Sequence, residues 1–290
     1  MSFEDKVAII TGAGGGLGKE HALILAAAGA KVVINDLGGS VDGSGQGDAA
    51  DQVVEEIRAS GGEAVANKDS VADREGAKRI VETAVDNYGT VDILINNAGI
   101  LRDKSFKNMT LDEWDAVINV HLNGSAYVTW HAWPIMYAKN YGRILFTSSV
   151  SGILGSFGQA NYGAAKMGML GLMNNLSREG ASHNVHVNCL SPGAETRMTA
   201  SVPGADMNPD DPSPDNHPKL VSPAAIYLVS EDAPNGRVIQ AARGRFASDA
   251  VFSNTGMDLG LDATWEDVAD NADTILSYDG MGVKTNMWRD

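Results

Sequence analysis

The 290-residue chain has a single cysteine, a deficit of basic side chains, and no run of about 18 uncharged apolar residues. Each shortage removes a class of function. Cys189 has no intramolecular partner for a disulfide, and its place in the apolar run VHVNCL reads as a small buried hydrophobe in a reducing compartment. With 22 Lys and Arg against 37 Asp and Glu, the net charge of −15 repels phosphate backbones, so nucleic acid is not an expected partner. The absence of a long apolar run argues against a membrane-spanning helix. The start, MSFEDKVAIITGAGG, turns into a strand within six residues and lacks the basic-then-apolar signature of a secretion signal. A cytoplasmic protein is expected. None of the six histidines stands in a metal-ligand spacing, so no metal site is expected; His121 reads as structural, and His183 and His186 lie near a helix-to-strand turn.

What is present is a regular alternation of β-rich and helical runs. Strands are expected at Lys6–Thr11, Lys31–Asn35, Glu63–Asn67, Val91–Asn96, Arg143–Ser148 and Val185–Leu190. Helices are expected at Leu17–Ala28, Asp48–Ser60, Asp73–Tyr88 and Leu111–Lys139, the last bent or reset at Pro134, and another runs through Tyr162. Such alternation predicts an α/β fold: one Rossmann-type, doubly wound parallel sheet with helices on both faces. Two segments break the rhythm. Gly38–Gly47 has five glycines in ten residues and reads as a flexible loop. Pro203–Pro218 holds five of the nine prolines, which excludes a regular helix or central strand there and suggests a mobile flap, taken with its approach as about 196–218. The chain therefore reads as one catalytic domain over 1–290, with a core at about 5–245 and a weakly patterned tail at about 245–290.

Four constellations carry chemistry. TGAGGGLG, Thr11–Gly18, follows the first strand and opens a helix, where glycines and a helix N-terminus can cradle phosphate. Asp36 ends the second strand, eighteen residues past Gly18. A carboxylate there can accept from both ribose hydroxyls of an adenosine and repel a 2′-phosphate, selecting NAD over NADP. NNAG, Asn96–Gly99, ends the fourth strand, on the edge of the sheet where ligands bind in open α/β folds. Ser149 follows RILFTS at the same edge, and the helical stretch QANYGAAKMG puts Tyr162 and Lys166 one turn apart among small residues. Each alone has an ordinary reading as a turn, a strand-end cap or a surface pair. Together they fall in one order on one edge of one sheet.

In that order they resemble the short-chain dehydrogenase/reductase superfamily, over roughly residues 5–245. The superfamily pattern is met by Thr11–Gly18, Asn96–Gly99, Asn123, Ser149 and Tyr162/Lys166. NDLGG, NNAGILRDKSF, VHLNGSAYVT and FGQANYGAAKMGMLGL are similar, more narrowly, to the dehydrogenase units of the type 2 peroxisomal multifunctional enzymes. The resemblance implies an NAD-dependent oxidoreductase that interconverts a secondary alcohol and a ketone. Its substrate would be a (3R)-hydroxyacyl-CoA, or alternatively a 17β-hydroxysteroid or other apolar secondary alcohol. Catalysis would fall to Asn123, Ser149, Tyr162 and Lys166. Cofactor binding would fall to Gly12, Gly14, Gly16, Leu17, Gly18, Asp36, Asp69, Ser70, Asn97, Ala98, Gly99, Tyr162, Lys166, Pro192, Gly193 and Thr196. Asn123 would hold a water behind Lys166. SPGAETRMT is one residue shorter than the superfamily's segment, and Thr196 takes the place of its carboxamide-binding threonine. A homodimer or homotetramer is implied, and a small-molecule substrate. A non-catalytic NAD sensor, or an isomerase or dehydratase on the same scaffold, would share the glycine loop and differ in turnover. Finally, Arg102, Lys104 and Lys107 stand against one Asp103 just after NNAG, a cationic cluster that could hold a CoA phosphate.

Overall fold

Strands buried on both faces need aliphatic runs without alternation, and the chain supplies them. In the computed structural model, which describes residues 2–201, 206–209 and 211–283, β1 (Val7–Thr11) is buried at every position. It is followed by α1 (Gly16–Ala27), β2 (Lys31–Asn35), α2 (Ala49–Ala59), β3 (Glu63–Asn67), α3 (Arg74–Tyr88) and β4 (Ile93–Asn96). Then come α4 (Leu111–Ile118), a π-helical turn at Asn119–Asn123, α5 (Gly124–Lys139), β5 (Gly142–Thr147), α6 (Val150–Ile153), α7 (Ala160–Gly180) and β6 (Val185–Gly193). After the short α8 (Arg197–Ala200) follow α9 (Ser222–Leu228), β7 (Val238–Ala242) and β8 (Arg245–Asp249).

The sheet order is β3-β2-β1-β4-β5-β6-β7-β8, with β1 to β7 paired in parallel. Chain direction across the sheet reverses between β1 and β4, so the carboxyl ends of those strands flank the crevice where such sheets bind ligands. One apolar layer packs Leu25, Val53, Val54, Ile57 and Leu228 onto one face of the sheet. The other packs Ile80, Val81, Val128, Met136, Met169 and Met173 onto the opposite face. Helix ends follow local chemistry. The Asp73 side chain accepts from Gly76 N at the start of α3, and Thr110 and Glu113 form a capping box on α4.

The helix expected to bend at Pro134 is interrupted elsewhere. α5 runs through Pro134, which is exposed. The interruption is the π turn, whose extra residue buries His121 completely and lets Ser125 Oγ donate to the His121 carbonyl at 2.6 Å. The Gly38–Gly47 loop is also more ordered than its glycines suggest. Ser40 N donates to Ser44 O, Leu101 N donates to Val41 O at 3.0 Å, and Arg102 Nε donates to Asp42 O at 3.1 Å. Of the expected flap, residues 202–205 and 210 lie outside the described residues. Its far end is tethered: Glu195, almost fully buried, accepts from Ser213 N at 2.9 Å, Ser213 Oγ at 2.7 Å and Asn216 Nδ2 at 3.1 Å.

Two strands of the eight-stranded sheet escaped the sequence. β7 and β8 are joined by Arg243–Gly244, both at positive φ (51° and 73°), a two-residue turn with no Asn-Gly or Asp-Gly to announce it. The chain divides into two compact units, Met1–Ser248 and Asp249–Asp290. The second carries β9 (Phe252–Ser253), α10 (Trp265–Asp270), α11 (Ala272–Ile275) and β10 (Gly282–Val283), with β9 and β10 antiparallel. Among the described residues, no helix is long and apolar enough to cross a membrane.

Candidate active site

The glycine motif and NNAG are two halves of one joint. Thr11 Oγ1 accepts from Asn97 N at 3.0 Å and Ala98 N at 3.1 Å, while Asn97 Nδ2 donates to the carbonyls of Thr11 and Gly12. Gly12 sits at φ +64°, and a Cβ on it would lie 2.7 Å from Ala98 Cα. At Gly18 a Cβ would lie 2.3 Å from the Gly12 carbonyl, so α1 could not pack as closely on β1. These residues create the crevice rather than the chemistry.

A cleft of about 520 Å³ opens above this joint. Its lining includes Gly12, Gly16, Leu17, Asp36, Asp69, Ser70, Asn97, Ala98, Gly99, Ser149, Tyr162, Lys166, Pro192 and Thr196, so most of the residues expected from sequence converge on one space. Gly14, Gly18, Gly193 and Asn123 do not line it. Gly14 N donates to Asp36 Oδ2 at 2.8 Å and Gly38 N to Oδ1 at 2.7 Å, which fixes the carboxylate at the end of β2. Gly193 packs against Ala242, and Asn123 Nδ2 donates to Asn119 Oδ1 at 2.7 Å within the π turn. Asp69 is held by Arg79 Nη2 at 2.6 Å and by Asn67 Nδ2 at 2.9 Å. The Thr196 hydroxyl caps α8 through Thr199.

The residues present fit a dinucleotide. Glycines leave backbone N–H groups open at the start of α1, the Asp36 carboxylate keeps lone pairs beyond its two backbone bonds, and Arg197 Nη2 comes within 3.7 Å of the place a Cβ on Gly15 would take. Arg197 was not singled out by sequence reasoning. Only its position two residues past Glu195, which the tether above fixes, could have suggested it.

At the other end of the cleft, burial sets the electrostatics. The Lys166 ammonium lies 2 % exposed, donates to the Thr147 carbonyl at 2.5 Å, and is pulled down to about 7 by burial. Burial also pushes the Tyr162 phenol up to about 12; Ser149 beside it acts the other way, and the nearby Asp103 charge adds to the rise. Lys166 Nζ stands 5.4 Å from the Tyr162 ring centroid. The His121 ring meets Tyr162 edge-on, centroids 5.1 Å apart, and its Nε2 lies 2.8 Å from the Ile100 carbonyl, with its own pKa well below the usual histidine value through burial. Met198 Sδ sits 3.9 Å from the phenol oxygen. A side wall of Val41, Ile100, Leu101, Val120 and Met198 is apolar.

The cationic cluster after NNAG is smaller than its sequence implies. Lys104 pairs with Glu113 at 2.6 Å, a carboxylate contributed by α4 from nine residues downstream, and Arg102 is bonded to the Asp42 carbonyl. Three cations against one acid become a mixed-sign surface.

A hydroxyl, a phenol and a buried amine at the carboxyl edge of a doubly wound sheet, facing a glycine cradle, can exchange a proton with an alcohol or ketone beside a bound dinucleotide. Residues 6–206 match the model of the short chain dehydrogenase family, and the chain belongs to that family: it is an oxidoreductase acting on CH–OH groups. It is 48 % identical to a short-chain type dehydrogenase/reductase of Mycobacterium tuberculosis, over 92 % of each chain. It is 47 % identical to peroxisomal multifunctional enzyme A of Dictyostelium discoideum over 99 % of this chain and 63 % of that one. The solved full-length peroxisomal multifunctional enzyme type 2 of Drosophila melanogaster matches with a TM-score of 0.81 and 38 % identity, over 99 % of this chain and 48 % of that one. The chain thus spans about half to two thirds of these multifunctional relatives.

Proposed function

We propose that the chain is an NAD-dependent dehydrogenase of (3R)-hydroxyacyl-CoA thioesters, with Tyr162 as the proton-exchanging group. The observation that carries this reading is the buried Tyr162–Lys166 pair with Ser149 at one end of a cleft whose other end holds Asp36. A bound NAD would supply the hydride acceptor for oxidation, and its reduced form the donor for reduction. The Tyr162 phenolate takes the hydroxyl proton during oxidation, and the phenol gives it back during reduction; a phenol held near 12 needs neighbouring positive charge to reach the phenolate at neutral pH. Lys166 supplies part of that charge, and Ser149 orients the substrate oxygen. Asp36 reads the adenosine ribose and disfavours a 2′-phosphate. Gly12, Gly15 and Gly16 leave room for the pyrophosphate.

The acyl-CoA assignment is supported by the likeness of NNAGILRDKSF and FGQANYGAAKMGMLGL to the multifunctional enzymes' dehydrogenase units and by the apolar wall, which suits an acyl chain. An apolar wall also suits a 17β-hydroxysteroid, so both belong in the assay. Initial rates with NAD and NADP, each with (3R)-hydroxyacyl-CoA, a hydroxysteroid and simple secondary alcohols, test the reading. A higher kcat/KM with NADP, or with the steroid, overturns the corresponding half. A homodimer or homotetramer is consistent with the exposed Trp265, Leu276 and Tyr278 of the second unit, and light scattering reports it directly. The single buried Cys189 fits a reducing, cytoplasmic setting.

A further inference from the structure

From Ser149 a polar chain runs outward through Ser151 and Gln159, two side chains given no part in the proton exchange. Ser151 N donates to Ser149 Oγ at 3.2 Å, Ser151 Oγ donates to Gln159 Oε1 at 2.7 Å, and Gln159 Nε2 donates to Asp103 Oδ2 at 2.6 Å. The Gln159 amide is thereby locked in one orientation, because a carboxylate only accepts and must face the nitrogen. Its second amide hydrogen has no partner among the described residues, and both Gln159 and Ser151 line the cleft. Gln159 immediately precedes α7, three residues before Tyr162, so the amide and the phenol start from neighbouring positions on one helix face.

Asp103 makes this arrangement costly. Its Oδ1 is buried without a hydrogen-bond partner among the described residues, and burial raises its carboxyl above the ordinary range. A loop selected for stability alone would do better with an apolar residue there. What Asp103 provides is the aim of the Gln159 amide.

We propose that Gln159, oriented by Asp103, donates its remaining amide N–H to a carbonyl oxygen two carbons from the reacting carbon, making the site specific for 3-oxygenated acyl compounds. In a 3-hydroxyacyl thioester the two oxygens sit on alternate carbons, so groups one helical turn apart can take one each: Tyr162 the hydroxyl, Gln159 the thioester carbonyl. A simple secondary alcohol leaves the amide unmatched. A site built to bond a substrate group discriminates against analogues lacking it, because its own polar group then stays unpaired. This inference rests on the acyl-thioester reading above.

The test compares (3R)-hydroxyoctanoyl N-acetylcysteamine thioester, which keeps the carbonyl and lacks the nucleotide, with (R)-2-octanol, which lacks both. The wild-type chain is expected to favour the thioester in kcat/KM. Gln159→Met is expected to lower the thioester-to-alcohol ratio about tenfold, chiefly through KM, and Gln159→Glu, which keeps the shape and loses the donor, should do the same. Asp103→Asn can still accept the Nε2 bond and should retain most of the ratio, whereas Asp103→Leu should not. NADH dissociation constants by fluorescence report whether each variant keeps its cofactor site. A ratio unchanged in both Gln159 variants, or equal losses on both substrates, overturns the proposal. A wild-type chain with no preference for the thioester overturns the acyl reading itself, and that is seen before any variant is made.

Discussion

Lys166→Met is expected to inactivate the enzyme and to stabilise it at neutral pH. Among the described residues the buried ammonium has one hydrogen-bond partner, the Thr147 carbonyl, and burial lowers its pKa from 10.5 to about 7. The fold therefore disfavours the charged form by an amount on the order of 4–5 kcal/mol. Methionine has nearly the same length and no charge to desolvate, while its cost is the donor lost to Thr147, about 1–3 kcal/mol. The balance favours the variant by about 2 kcal/mol at pH 7. Because the folded-state pKa is depressed, the unfolded chain binds more protons than the folded one between about pH 7 and 10.5, so wild-type stability rises with pH across that window. By pH 9.5 about 3 kcal/mol of the penalty is gone, and the order of stabilities should reverse. Guanidinium unfolding of both proteins at pH 7 and 9.5 reads this directly. A stability difference that does not change between the two pH values, or a variant less stable at pH 7, refutes the reasoning.

Tyr162→Phe should abolish turnover while NADH affinity, measured by fluorescence, stays within about threefold, since the hydroxyl serves proton transfer more than binding; a tenth of wild-type kcat would remove Tyr162 from its role. Arg197→Gln should weaken ADP-ribose binding about tenfold at low salt and leave adenosine alone, because a guanidinium beside Gly15 meets phosphate and not the base; equal effects on both ligands in calorimetry would place Arg197 elsewhere. Asp103→Asn removes an anion that raises the Tyr162 pKa, so the alkaline-rising limb of the oxidation rate should move to lower pH; no movement, or movement upward, contradicts the assigned electrostatics. Asp36→Ala should narrow the preference for NAD over NADP in kcat/KM, and an unchanged ratio would mean that another group reads the ribose.

What could be read from sequence was whatever local chemistry fixes locally. β2 and β3 fell on the expected residues because short aliphatic runs bounded by glycine and a following helix leave little choice. Those expected residues that line the cleft were legible for the same reason: glycine spacing, a strand-end carboxylate and a Tyr-Lys turn need only their own neighbours. Less visible were features that depend on distant partners. The π turn at Asn119–Asn123 has no breaker residue, and what accommodates it is His121 filling the space left by Gly99, from another strand end. Lys104 looked free because Glu113, which neutralises it, belongs to the next helix. Ser151 stands in none of the motif stretches and Gln159 opens QANYGAAKMG without a role there; their meaning arises only when the 100–104 loop brings Asp103 against Gln159.

Gly99, His121, Tyr162 and Lys166 show how steric and chemical demands interlock. A Cβ on Gly99 would lie 2.2 Å from His121 Cε1, so only glycine lets that ring sit edge-on to Tyr162. His121, kept neutral by burial, adds no charge, and so holds the phenol without lowering its pKa. Burial then moves the two functional groups in opposite directions, the phenol up to about 12 and the ammonium down to about 7, both against ionisation. A cleft that resists charge at both groups is a poor base by itself. An oxidised dinucleotide held in the cleft would bring positive charge that favours the phenolate, as the role proposed for Tyr162 requires. On the proposed reading, proton removal would be tied to the cofactor state that can accept a hydride, and the low dielectric that makes Lys166 costly to the fold would be the condition for that coupling.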